Sequence, residues 1–140
     1  MPVPRPEIAK EEELLPPVSR YAKRKGFTAQ FTELPFFEYR IDLYAVSKPS
    51  GDTIAVELKM KNWRRALCQA LIYQLCSDFV FIALPVTKAG MVDFTELSRH
   101  GVGLILVGSD RRCRLALEAA RSPEVRDYYR SRYVEMLASI

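Results

Sequence analysis

Hydrophobic positions recur along the chain with two different periods, and each change of period marks an element. Across residues 7–25, Leu14, Leu15, Val18, Tyr21 and Ala22 return at helical spacing, and Gly26 stands where a helix C-terminus is stopped. Pro16 and Pro17 interrupt this stretch just after Glu11, Glu12 and Glu13. A proline inside a helix removes a backbone donor and clashes with the preceding turn, so the pattern predicts either one kinked helix or a helix restarting near Pro17. Residues 27–34 have strand composition. Residues 37–46, the turn KPSGD and residues 53–60 then read as a β-hairpin. Alternation puts Ile41, Leu43 and Ala45 on one face of the first strand, and Ile54, Val56, Leu58 and Met60 on one face of the second. The other face carries Arg40, Asp42, Tyr44, Glu57, Lys59 and Lys61.

Residues 63–76 are rich in alanine and leucine and contain neither glycine nor proline, which predicts a helix. Residues 79–84 are a continuous apolar run of the kind buried on both faces of a sheet, ended by Pro85. A short helix over 91–100, stopped by Gly101, and a second buried strand over 102–107 follow. Residues 112–119 fit a strand or a helix. Ser122-Pro123 opens a helix reaching Leu137, with Val125, Tyr129, Tyr133 and Leu137 at near-heptad spacing. Strands and helices alternating in this way make an α/β domain.

With 140 residues, 49% of them hydrophobic, the chain suits one compact domain over 7–140, preceded by a flexible proline-rich arm over 1–6. Lys and Arg number 21 against 17 Asp and Glu, and this excess of basic charge favours a polyanionic partner. No apolar run approaches the ~20 residues that span a bilayer, and the opening MPVPRPEIAK lacks the apolar core of a secretory signal, so no membrane association is expected. The three cysteines, Cys68, Cys76 and Cys113, are odd in number and lack C-x-x-C spacing, which argues against a disulfide framework or a structural zinc site and for a cytoplasmic setting. A single histidine, His100, leaves almost no material for Ser/His/Asp catalysis or a histidine-rich metal site. Hydrolytic chemistry must then rest on carboxylates and lysine.

If the hairpin turns symmetrically about Pro49 and Ser50, paired residue numbers sum to 99, and Asp42 faces Glu57. Directly opposed side chains have Cβ atoms roughly 4.5 to 5.5 Å apart, where like charges repel unless something positive intervenes. Two carboxylates, a backbone carbonyl such as that of Leu58, waters and a phosphate form a ligand set that suits Mg²⁺. Lys59, two residues beyond Glu57, points to the same face. A metal held there would activate a water and neutralise phosphodiester charge, with Lys59 orienting or deprotonating that water.

The stretch RIDLYAV, the turn, IAVELKMK and the helix WRRALCQALIYQ together resemble the PD-(D/E)XK nuclease superfamily, the restriction-endonuclease-like fold. The resemblance covers most of residues 7–107. It implies a three-layer α/β domain with a central mixed β-sheet flanked by helices and an αβββαβ core, dependence on Mg²⁺ or Mn²⁺, and cleavage leaving a 5′-phosphate. Asp42 corresponds to the first acid of the signature, Glu57 and Lys59 to the acid-x-Lys triplet, and Gln69 and Tyr73 to positions on the following helix. Members resembling junction resolvases add a glutamate on the first helix, for which Glu13 is the first choice and Glu12 the second. Ile41 stands where the proline that names the motif would be.

The expected function is a metal-dependent nuclease acting on DNA with structure or end selectivity. Asp42, Glu57 and the Leu58 carbonyl are the expected metal ligands, Lys59 the water-handling base, Gln69 a positioner and Glu13 an auxiliary carboxylate. Lys61, Arg64, Arg65 and Tyr73 are expected on the nucleic acid. The chain would act as a homodimer or with a partner protein. Plainer readings exist for each. Asp42, Glu57 and Lys59 would also suit a surface salt-bridge ladder, and Gln69 and Tyr73 the polar edge of a core. Trp63 reads as a staple of its helix, Glu33 as an exposed strand charge, and Cys68 and Cys76 as core positions. The arginines at 111, 112, 114, 121, 126, 130 and 132 suit either a DNA-facing surface or a dimer rim. A non-catalytic nucleic-acid-binding module of the same fold, or a subunit active only in a complex, are the competing functions.

Overall fold

Six strands hydrogen-bond into one mixed sheet in a computed structural model that describes residues 5–139. In chain order the elements are a 3-10 turn Glu11–Leu14, α1 Leu15–Arg24, β1 Ala29–Phe36, β2 Tyr39–Val46, β3 Thr53–Leu58, α2 Trp63–Tyr73, β4 Phe79–Pro85, a 3-10 segment Val86–Met91, α3 Phe94–Arg99, β5 Gly103–Val107, β6 Cys113–Leu117 and α4 Asp127–Ala138. The strands lie side by side in sequence order. β1, β2 and β3 pair antiparallel, β3, β4 and β5 parallel, and β6 returns antiparallel to β5. Crossovers of one hand, moving in one direction across the sheet, put α2 and α3 on one face. There Trp63, Ala70 and Tyr73 of α2, Leu97 of α3 and Leu137 of α4 share a core with Tyr44, Ile82 and Leu104. On the opposite face Leu14, Val18 and Ala22 pack on Leu43, Val56, Ile105 and Val107. The chain is thus an α/β domain whose mixed sheet is flanked by helices on both faces.

The two prolines restart the first helix rather than kinking it, because they occupy its first turn, where a missing N–H leaves no hydrogen bond broken. Gly26 closes that helix with φ +98°, a left-handed conformation that suits glycine. The hairpin register agrees with its symmetric turn: Leu43 pairs with Val56, Tyr44 with Ala55, Ala45 with Ile54 and Val46 with Thr53. Residues 112–119 contain the strand β6. α4 begins later than Ser122-Pro123 predicts, because the Ser122 N–H donates to the Asp78 carbonyl at 2.7 Å and the Arg126 N–H to the Leu75 carbonyl at 2.8 Å. These bonds hold residues 122–126 against the end of α2.

One expectation about faces needs correction. Tyr44 and Glu57 lie on the face opposite Leu43 and Ala45, as the alternation predicts, and both are buried there. Ile41 leaves the face of Leu43 and Ala45 and joins the α2 side with Leu34 and Phe36. Cys76 is buried, but Cys68 is exposed on the outer side of α2. Of the arm expected over 1–6, residues 1–4 lie outside the described residues, and the Pro6 carbonyl accepts a hydrogen bond from Arg111 at 3.0 Å. Among the described residues no helix is long and apolar enough to cross a membrane.

Candidate functional site

Near Asp42 the regular sheet gives way on both sides of β2. Pairing of β1 with β2 runs through Thr32–Leu43 and resumes at Leu34–Ile41, skipping Glu33 and Asp42, and Glu33 has φ +52°. A non-glycine residue held in this left-handed region costs on the order of 1–3 kcal/mol, and such conformations cluster where a site needs them. On the other side the β2–β3 pairs end at Leu43–Val56. Beyond them Asp42 Oδ2 accepts the Leu58 N–H at 2.7 Å, so a side-chain carboxylate takes the place of a ladder carbonyl. In an extended strand the N–H and C=O of one residue point the same way, which aims the Leu58 carbonyl to the Asp42 side as well.

Glu57 sits beside this break at 4% exposure. Its carboxyl group lies close enough to that of Asp42 for the charge of each to act on the other. The Tyr73 hydroxyl lies 3.0 Å from Glu57 Oε1 and 3.1 Å from the Arg40 carbonyl, so either oxygen accepts its one proton. Lys59 Nζ stands 3.9 Å from Glu57 Oε2. Burial, reinforced by the charge of Asp42, pushes Glu57 up to about 8, against the opposing pull of Tyr73 and Lys59. Burial raises Asp42 too, offset in part by the hydrogen bond from the Leu58 N–H. Two acids desolvated together cannot both ionise at neutral pH without a cation.

Among the described residues no three Asp, Glu, His or Cys side chains gather in one group. A cation here would be held by the two carboxylates, the Leu58 carbonyl and water, an all-oxygen set of the kind Mg²⁺ takes. One further observation fits a missing partner. Gln69 Oε1 is buried without a hydrogen bond, one helical turn before Tyr73 on α2.

The remaining expected residues divide. Lys61, Arg64 and Arg65 are exposed on the β3–α2 connection and the first turn of α2, where Asn62 caps the helix by accepting the Arg65 N–H. Trp63 is buried as a staple, with the Arg64 guanidinium 4.5 Å from its ring centroid. Glu13 does not join the acids: its carboxylate pairs with Arg111 at 3.3 Å and accepts the Lys10 N–H. Glu12 is exposed. Glu11 is the member of this acidic run whose charge acts on Asp42. The reason is local geometry. Pro16 and Pro17 have no N–H for the carbonyls of Glu12 and Glu13, so Glu11–Leu14 winds as a 3-10 turn with three residues per turn, and Glu11 eclipses the buried Leu14. Glu33 is exposed, as expected of a strand charge, but its backbone is the irregular one.

Asp78, at 7% exposure, drew no notice in the sequence. Its Oδ2 accepts from the Thr53 N–H at 2.9 Å, the Thr53 hydroxyl at 3.0 Å and Arg130 Nη2 at 2.9 Å. Burial alone would raise its pKa, but the bonds from Arg130 and Thr53 outweigh burial and hold it below the ordinary carboxylate range. Arg130 Nη2 also donates to the Gly51 carbonyl, which fastens α4 to the turn end of the hairpin. Five of the seven arginines of the basic C-terminal region have carboxylate partners: Arg111 with Glu13, Arg112 with Asp110, Arg121 with Asp52 and Asp78, Arg126 with Glu124, and Arg130 with Asp78. Much of that charge is engaged within the chain.

In fold the chain is similar to the solved structure of SPO1766, a protein of unknown function from Silicibacter pomeroyi. The TM-score is 0.70 at 19% sequence identity, over 94% of this chain and 86% of that chain. No protein-family model matches the chain. No curated protein matches it either.

Proposed function

We propose that the chain is a metal-dependent nuclease of the PD-(D/E)XK type, built on a restriction-endonuclease-like fold and hydrolysing DNA phosphodiester bonds with structure or end selectivity. The observation that carries this reading is the meeting of Asp42, Glu57 and Lys59 at the end of the β2–β3 ladder, where the buried Glu57 and the half-buried Asp42 lie together with one ammonium beside them. A purely structural role does not account for this pair, because burying two acids together without a matching pair of cations disfavours folding.

Asp42, Glu57 and the Leu58 carbonyl would hold Mg²⁺ or Mn²⁺, which when bound supplies Lewis-acid charge neutralisation and lowers the pKa of a coordinated water. The chain's own groups do the rest. Tyr73 fixes the Glu57 carboxylate, and the Leu58 N–H fixes that of Asp42. Lys59 donates to the attacking water or to the phosphate oxygen on which charge develops. Gln69 Oε1 would accept a hydrogen bond from the attacking water and so orient it. Lys61, Arg64 and Arg65 neutralise flanking phosphates, the sequence-independent part of affinity. Incubation of the wild type, Glu57→Ala and Lys59→Ala with labelled linear, nicked and branched DNA and Mg²⁺ or Mn²⁺ tests the reading. Cleavage by the wild type alone supports it. Equal cleavage by folded variants, or none by the wild type on any substrate, overturns it.

A further inference from the structure

The two faces of the sheet are covered unequally. Six strands spaced about 4.8 Å apart span roughly 24 Å, whereas a helix is about 10–12 Å across. Among the described residues three helices share one face, but α1 is the only α-helix on the other. Beside α1 a groove of ≈ 310 Å³ remains, with Val18 and Tyr21 as its wall and Phe79, Phe81 and Ile105 as its floor. Gly103 keeps this floor low, since a Cβ there would stand 2.5 Å from the Phe81 ring. At the rim Leu115 projects from the edge strand β6 at 38% exposure.

The rim carries two exposed charges of opposite sign, Lys25 and Glu118, and among the described residues neither forms an ion pair. A polyanion would be repelled by Glu118. A second copy would not, because an isologous two-fold contact lets residue i of one copy meet residue j of the other and the reverse. Such a contact sets Lys25 against Glu118 twice and offers each Leu115 the opposite groove. Sheet extension through β6 is disfavoured, since β6 has a register shift where Leu115 and Leu117 pair with Ile105 and Leu104, and a bulge blunts an edge. Packing of face on face remains.

We propose that the open half of the α1 face is a homodimer interface, on which a second copy docks about a two-fold axis with Lys25 of each copy against Glu118 of the other and Leu115 in the opposing groove. This interface is separate from the Asp42–Glu57 site and does not depend on its chemistry. Sedimentation velocity over a wide range of protein concentration, with circular dichroism confirming the fold of each variant, tests it. The wild type is expected to dimerise, and Leu115→Glu to weaken the dimer at least about tenfold, equivalent to about 1.4 kcal/mol. Lys25→Glu and Glu118→Lys each weaken it, and the double reversal restores it. A wild type monomeric throughout overturns the proposal, and one that also takes up the apolar dye ANS in this groove identifies a ligand pocket instead. A dimer indifferent to Leu115→Glu, or a double reversal no better than the single ones, also overturns it.

Discussion

Asp78 and Glu57 are buried to nearly the same degree, at opposite ends of β3, and their surroundings could hardly differ more. At the turn end of the hairpin, Asp78 meets a guanidinium and two donors from Thr53, and its charge is stabilised. At the other end Glu57 meets a second carboxyl group, a tyrosine and one lysine 3.9 Å away, and its charge is disfavoured. Burial alone therefore does not separate structural from functional acids. The partner does: an acid matched by arginine closes the fold, whereas an acid matched by another acid leaves an unmet demand for positive charge that a ligand can fill.

The sharpest break of this comparison comes from Asp78→Ala, which strands Arg130 at a partly buried position. A loss of about 3–5 kcal/mol in unfolding free energy is expected by chemical denaturation. The sign of its pH dependence follows from the lowered folded-state pKa of Asp78. Its stabilisation is present above the unfolded value near 3.9 and is lost as pH falls towards the depressed folded value. Asp78→Asn should show a smaller loss of stability across that acidic window than the wild type.

Next in size is Lys59→Ala, for which metal-dependent cleavage should fall at least about 100-fold, equivalent to about 2.7 kcal/mol, with unfolding nearly unchanged. Single-turnover cleavage beside a denaturant melt checks both halves. Glu57→Gln should act in the reverse sense on stability. A carboxyl whose folded pKa is raised to about 8 contributes stability below its unfolded value near 4.3 and loses it as pH rises through about 8. The glutamine variant should therefore be more stable than the wild type by about 1–2 kcal/mol at mildly alkaline pH, while cleavage is lost. A destabilised Glu57→Gln would put this acid in the same structural class as Asp78. The smallest effect belongs to Arg64→Ala or Arg65→Ala, each reducing the slope of log affinity for DNA against log salt by about 0.9 for every phosphate no longer neutralised.

The parts of the candidate site that rest on short-range rules were legible in the chain. A symmetric turn set the hairpin register as far as Leu43–Val56, just before Asp42 and Glu57, and a run without glycine or proline put Gln69 and Tyr73 on α2. What escaped depends on residues distant in sequence or on backbone departures. The switch of Ile41 to the α2 side accompanies the left-handed Glu33, on a different strand. Asp78 and Arg130 are 52 residues apart, and no local pattern joins them. The late start of α4 follows from the bonds of Ser122 and Arg126 to the α2–β4 connection. Glu11, rather than Glu13, is the glutamate whose charge acts on Asp42, in a run that winds as a 3-10 turn before Pro16 and Pro17, a signal readable only once the prolines are counted against the carbonyls four residues earlier.

The claim that the paired acids await a cation is tested most directly by calorimetric titration of Mg²⁺ and Mn²⁺ into the wild type and Asp42→Asn. Saturable binding of one or both ions by the wild type, lost in the variant, is the predicted result. No binding by the wild type, or equal binding by both proteins, would contradict it.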